Sequence, residues 1–185
     1  MRKINLKRLT LAAMLLAVGM ILPTITMSIK EIGDTLLPMH MPVMLCGFLC
    51  GPWYGLVVGL MLPFLRSITV GMPPLYPNAV WMALELATYG LVIGLLYLKK
   101  KNKGRMYLFF CLVISMLSGR IVWGISKAIL LGIGGKAFTI SAFVVGGFVD
   151  AIPGIILQLI LIPLIVGLYE DTKIKTSKRK ENEKC

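Results

Sequence analysis

Long apolar runs separated by short polar segments make up most of this chain. The runs cover about 6–27, 53–70, 78–98, 106–132 and 138–169, with a shorter one at about 39–50. A membrane-crossing α-helix needs roughly 20 apolar residues. The pattern predicts an all-α integral membrane protein with six transmembrane helices, both termini on one side. The second span is the weak member. At 1.5 Å per residue its ~12 residues cover only about 18 Å. It is expected either to tilt as a hairpin with the third span or to let the preceding "GDTLLPMHMP" dip into the bilayer.

The stretch "CGFLCGPWYGLVVG" at 46–59 repeats glycine at Gly47, Gly51, Gly55 and Gly59. Glycines four apart are a packing signal between membrane helices. Pro52 interrupts them, however, and proline belongs at a helix start rather than in its interior. The expectation is a hairpin, with two small-residue faces meeting across a tight turn at 51–53.

Composition agrees with a membrane location. The chain is 57% hydrophobic and 15% charged, against roughly 25% charged in soluble domains, and its mean hydropathy is +0.85. The net charge of +12 raises nucleic acid as a partner, but the distribution argues against it. Arg2, Lys3, Lys7 and Arg8 precede the first run. Lys99, Lys100, Lys101, Lys103 and Arg105 fill the loop "KKKNKGR", and six more basic residues lie between Lys173 and Lys184. This is the positive-inside arrangement. It puts both termini and the 99–105 loop in the cytoplasm. The 28–38, 66–77 and 132–138 segments then lie outside, carrying only Lys30, Arg66 and Lys136. The expected location is the bacterial plasma membrane, multi-pass. Residues 1–170 form one membrane domain, and 171–185 form a basic cytoplasmic tail expected to be disordered. The first run, Leu9 to Met27, is too long for a signal-peptide core and no A-x-A site follows it, so it is read as a retained span.

Charges at membrane depth are expensive and face a partner or a cavity. Glu85, Arg120, Lys127 and Asp150 are the charges, and Gln158 is a further polar residue. Counting at 1.5 Å per residue from the outer ends places Glu85 at about 10 Å, Lys127 at about 8 Å, and Arg120 and Asp150 at about 18 Å. Equal depth on consecutive antiparallel spans predicts an Arg120–Asp150 pair, either a structural tie or the floor of a ligand cavity. Glu85 and Lys127 are expected to pair or to contact a ligand. Trp81, Glu85 and Tyr89 share one helix face, and Arg120, Trp123 and Lys127 share another. Two mixed polar and aromatic stripes on neighbouring spans suit a small amphipathic ligand. Tyr76 is read as part of an interfacial aromatic belt. The candidate substrate-binding residues are Trp81, Glu85, Tyr89, Arg120, Trp123, Lys127 and Asp150, with Asn78 and His40 at the outer ends.

Enzymatic readings find little support. His40 is the sole histidine and has no Ser, Cys or paired carboxylate at a motif spacing. Cys46 and Cys50 lack a nearby His or acidic partner, so no metal site is expected. There is no GxxxxGK[ST] phosphate loop, and "GIGG" at 132–135 lacks the strand that would give it meaning. No cofactor is expected in this chain.

The pieces "LPMHMPVMLCGFLCGPWYGLVVGLMLPFLRS", "GMPPLYP", "ALELATYGLVIGLLY", "SGRIVWGI" and "GGFVDAIPGIILQLILIP" occur in that order. Over roughly residues 6–169 the chain resembles the substrate-binding S component of energy-coupling factor (ECF) vitamin transporters. The resemblance implies a six-helix protein that captures a water-soluble vitamin outside. It then docks on a transmembrane coupling protein and two cytoplasmic ATPases, which use the ATP and drive inward release. It also implies a docking face built on A-x-x-x-A in the first helix, which Ala13 and Ala17 match; small residues four apart admit a partner helix. It places the site in the outer loops and the outer halves of the last three helices. Arg120, Lys127 and Arg66 suit a carboxylate, which favours pantothenate narrowly over riboflavin and cobalamin, although Glu85 and Asp150 offset those cations. The alternative is an autonomous carrier or channel working as a homo-oligomer, although the chain has no visible inverted repeat.

Overall fold

The computed structural model describes residues 5–26, 37–99, 104–135 and 139–182. Among them the chain is helical, with no strand: α1 Leu6–Thr26, α2 His40–Leu49, α3 Pro52–Val70, α4 Val80–Lys99, α5 Arg105–Ile133, α6 Ile140–Val144 and α7 Ile152–Asn182. A wide π-helical turn, Leu75–Ala79, leads into α4, and another, Val145–Val149, leaves α6. Most of the polar loop "SIKEIGDTLLPMH" lies outside the described residues, as do Lys100–Lys103 and 136–138.

Among the described residues, five segments are long and apolar enough to cross a membrane: Leu6–Thr26, Pro52–Val70, Leu75–Leu98, Arg105–Ile133 and Ile152–Thr172. Two of the six expected spans take another form. The second is α2, ten residues and about 15 Å long. Its residues His40 to Phe48 are all buried. A helix that is apolar all round belongs inside protein, and α1, α3, α4 and α7 pack around it. It therefore fills the bundle without needing to span it. The sixth expected span breaks near Asp150 into a short piece, Ile140–Val149, and the long α7. α7 continues as helix to Asn182, and residues 183–185 lie outside the described residues.

The lipid-facing and core-facing sides follow from helical spacing. Val113, Leu117, Ile121, Ile125 and Ile129 are exposed and recur every fourth residue on α5. Ile152, Ile156, Ile160, Leu164 and Leu168 do the same on α7. Exposed apolar stripes of this length suit contact with acyl chains. The core lies between α2, α3, α4 and α5, around Val43, Met44, Leu62, Leu86, Ile93 and Leu112.

The glycine repeat forms the predicted hairpin, with a different packing partner. Gly51, at φ 108°, takes a conformation closed to other residues, and Pro52 starts α3. The glycine faces then pack on α4 rather than on each other. A Cβ on Gly55 would fall 2.8 Å from Gly90 Cα, and one on Gly59 would fall 2.6 Å from Leu86 O. A Cβ on Gly94 would collide with Pro52. These backbone-to-backbone contacts fix α3 against α4 and so set where the α4 side chains point.

Candidate functional site

Glu85 on α4 is 2% exposed. Its Oε1 accepts a hydrogen bond from Arg120 Nη1 of α5 at 2.9 Å and another from the Tyr89 hydroxyl at 2.7 Å. His40 Nε2, from the first residue of α2, lies 3.5 Å from the same oxygen. That distance is too long for a good hydrogen bond, and both His40 ring nitrogens lack a hydrogen-bond partner among the described residues. Three helices therefore converge on one carboxylate. The pair is neutral as a unit, which is how a charge is tolerated at membrane depth. Gly119 makes the approach possible, because a Cβ there would occupy the Tyr89 ring.

Beside this cluster, Lys127 Nζ lies 4.5 Å from the Trp123 ring centroid and 5.5 Å from that of Trp81. Such geometry gives cation–π attraction. Trp123 in turn packs against Phe143 of α6 with the two rings tilted. The two stripes, Trp81-Glu85-Tyr89 and Arg120-Trp123-Lys127, therefore meet face to face.

The expected Arg120–Asp150 pair is not formed. Asp150 is exposed, at the break between the turn after α6 and α7, and its backbone N–H bonds to Val145 O. The depth count assumed an unbroken sixth helix, and it fixes height but not direction around the helix axis. Arg120 turns to Glu85 instead.

A cleft of ≈ 290 Å³ opens where α1 ends, α2 begins and α3 ends. His40, Arg66, Asn78, Met39, Met72 and Met82 contribute to its walls, together with a rim of prolines at 23, 38, 73 and 74. Asn78 is thus brought together with His40, whereas Trp81, Trp123 and Lys127 are not part of this lining. Arg66 is 2% exposed, and its Nη1 donates to Met20 O at 2.9 Å and Thr24 Oγ1 at 3.1 Å. Leu37, also on the wall, has φ 48°. A leucine there carries roughly 1–3 kcal/mol of strain, of the kind that collects at ligand clamps. Prolines and short turns give the mouth a fixed shape, and methionines give it an adaptable apolar surface.

His40 is the joint between the two regions: it lines the cleft and approaches Glu85. Arg66, expected beside Arg120 and Lys127 as a carboxylate partner, instead lines this cleft with the "GMPPLYP" turn. Their signal was position, since both fall at the same end of the chain's spans as Asn78. At the opposite end of α1, a second cleft of ≈ 330 Å³ is lined by residues including Lys7, Arg8, Tyr97 and Glu170. There the Tyr97 hydroxyl donates to Glu170 Oε1 at 2.6 Å. Ala13 and Ala17 lie on the exposed face of α1, while Ala12 and Gly19 face the core.

The fold and the cleft define a polytopic helical membrane protein with room for one small molecule at one end of its bundle. A family model for the ECF transporter, substrate-specific component, matches residues 7–166, and the chain belongs to that family. It is therefore a substrate-specific subunit of an ECF transporter. No curated protein and no solved structure matches it.

Proposed function

We propose that this chain captures a water-soluble vitamin in the cleft at the α1–α2–α3 end and delivers it inward only when docked on an ATPase-driven coupling module. The observation that carries the reading is the cleft, whose wall includes the buried polar residues His40 and Arg66. Small-molecule sites are mostly apolar with a few fixed polar groups, and they run from about 300 to 1,000 Å³. At ≈ 290 Å³ the cleft falls just below that range, which favours pantothenate over riboflavin and disfavours cobalamin. The buried Glu85–Arg120 cluster lies behind His40, and Trp81, Trp123 and Lys127 stand beside that cluster, outside the cleft's lining. Positive-inside charge puts the cleft outside and the termini in the cytoplasm. Ala13 and Ala17, exposed and four residues apart, form the face that meets the coupling protein.

The test is binding followed by uptake. Calorimetry on the purified chain in detergent should give one tightly bound vitamin per chain. Proteoliposomes should accumulate it only with the coupling protein and both ATPases present. Uptake by the chain alone would establish the carrier or channel reading instead.

A further inference from the structure

Lys7 and Arg8 stand in the first turn of α1, exposed and on the wall of the second cleft. Neither forms an ion pair with an acid among the described residues. Arg120, by contrast, has its carboxylate in Glu85. The acid on the same wall, Glu170, accepts a hydrogen bond from the Tyr97 hydroxyl at 2.6 Å. Two cations therefore face one carboxylate in this lining. Arg8 Nη1 reaches the α2–α3 turn, 4.0 Å from the position that a Cβ on Gly51 would take.

Deeper in the bundle the lining is apolar. Leu11 is three residues past Arg8, about 4.5 Å along α1, and Val166 is four residues before Glu170, about 6 Å along α7. Phe48 of α2 lines the cleft beside them and packs edge-to-face on Tyr97 at 4.9 Å. Four helices thus enclose a space that is cationic at its lip and hydrocarbon behind it.

We propose that this cleft holds one anionic phospholipid, with its phosphate at Lys7 and Arg8 and the start of its acyl chains against Leu11, Phe48 and Val166. Basic pockets between membrane helices on the cytoplasmic side bind anionic headgroups, and positive-inside charge puts this end in the cytoplasm. At ≈ 330 Å³ the cleft suits one small group rather than a partner helix, which is about 10–12 Å across. A free phosphate would need only the charges. The apolar wall behind them commits the site to a lipid, and the excess of cations selects a net negative headgroup over a zwitterionic one. The inference is independent of the vitamin cleft, which lies at the other end of α1.

Native mass spectrometry of the full chain, with phosphatidylglycerol and phosphatidylcholine of identical acyl chains added in turn, reads the occupancy. One phosphatidylglycerol should be retained per chain, about tenfold or more tightly than phosphatidylcholine. Arg8→Gln should weaken it about fivefold, and Lys7→Gln with Arg8→Gln about 25-fold. Arg105→Gln removes the same charge at the same end of the bundle but outside the cleft's lining, and should retain the lipid like wild type. All three positions are exposed, so the lipid-free variants should melt like wild type. Equal retention of the two lipids overturns the proposal, as does an equal loss in Arg8→Gln and Arg105→Gln, which would show only general charge attraction. Displacement of phosphatidylglycerol by an equal concentration of inorganic phosphate would make this a free-phosphate site and overturn the lipid assignment. Loss of coupling-protein binding in the double variant, with its phosphatidylglycerol retained as in wild type, would give the cleft to that protein instead.

Discussion

Arg120 Nη1 and Glu85 Oε1 meet at 2.9 Å with both side chains buried, joining α5 to α4 through the centre of the bundle. Removing one partner of such a pair strands the other charge in a low-dielectric interior, at about 3–5 kcal/mol. Glu85→Gln and Arg120→Met are each expected to lower the melting temperature in detergent strongly. The double variant should recover much of the loss, since neither charge is then orphaned. Two single variants that melt like wild type would show that the pair does not hold the bundle together.

Asp150→Asn provides the contrast. The side chain is exposed and Arg120 has its partner elsewhere. Surface changes of this kind stay within about 0.5 kcal/mol. Melting and vitamin affinity should both match wild type. A loss comparable to that of Arg120→Met would restore Asp150 as the partner of the arginine.

Gly90→Ala tests the contact between α3 and α4. A methyl there would run into the backbone of Gly55, and overpacking of this kind costs about 1–3 kcal/mol. The folded yield and melting temperature should fall. Gly104→Ala is the control, because nothing lies within 4 Å of a Cβ there. Equal behaviour of the two variants would mean that α3 and α4 are not in backbone contact.

Much of this arrangement is legible in the sequence, and the parts that are not share a cause. Helix positions followed from apolar run length, and the Gly51–Pro52 break was readable because each residue has a restricted backbone role. The meeting of the α4 and α5 stripes was also readable, since an i, i+4 spacing fixes a face. What the spacing leaves open is which neighbour that face meets. Asp150 and Glu85 were both available to Arg120, and only the break before α7 and the room left by Gly119 decide between them. The burial of α2 on every side was hidden for a similar reason. A uniformly apolar ten-residue helix has no face to read, so its short length looked like a defective span. That Arg66 and the proline turn share a wall with His40 was hidden, because a cleft wall depends on where chain ends converge.

Ala13→Leu and Ala17→Trp bear on the docking face. Both positions are exposed, away from the cleft. Vitamin binding by the isolated chain should be unchanged, and uptake through the complete transporter should fall, because a bulky residue blocks close helix approach. Normal uptake by both variants would remove this face from the coupling interface.

Native mass spectrometry of the chain as it leaves the membrane tests the central claim most directly. Wild type should carry one vitamin-sized molecule per chain. Asn78→Trp, which fills the cleft from its wall, should carry none while remaining folded. Retention of the same molecule by folded Asn78→Trp would contradict the assignment of the cleft as the capture site.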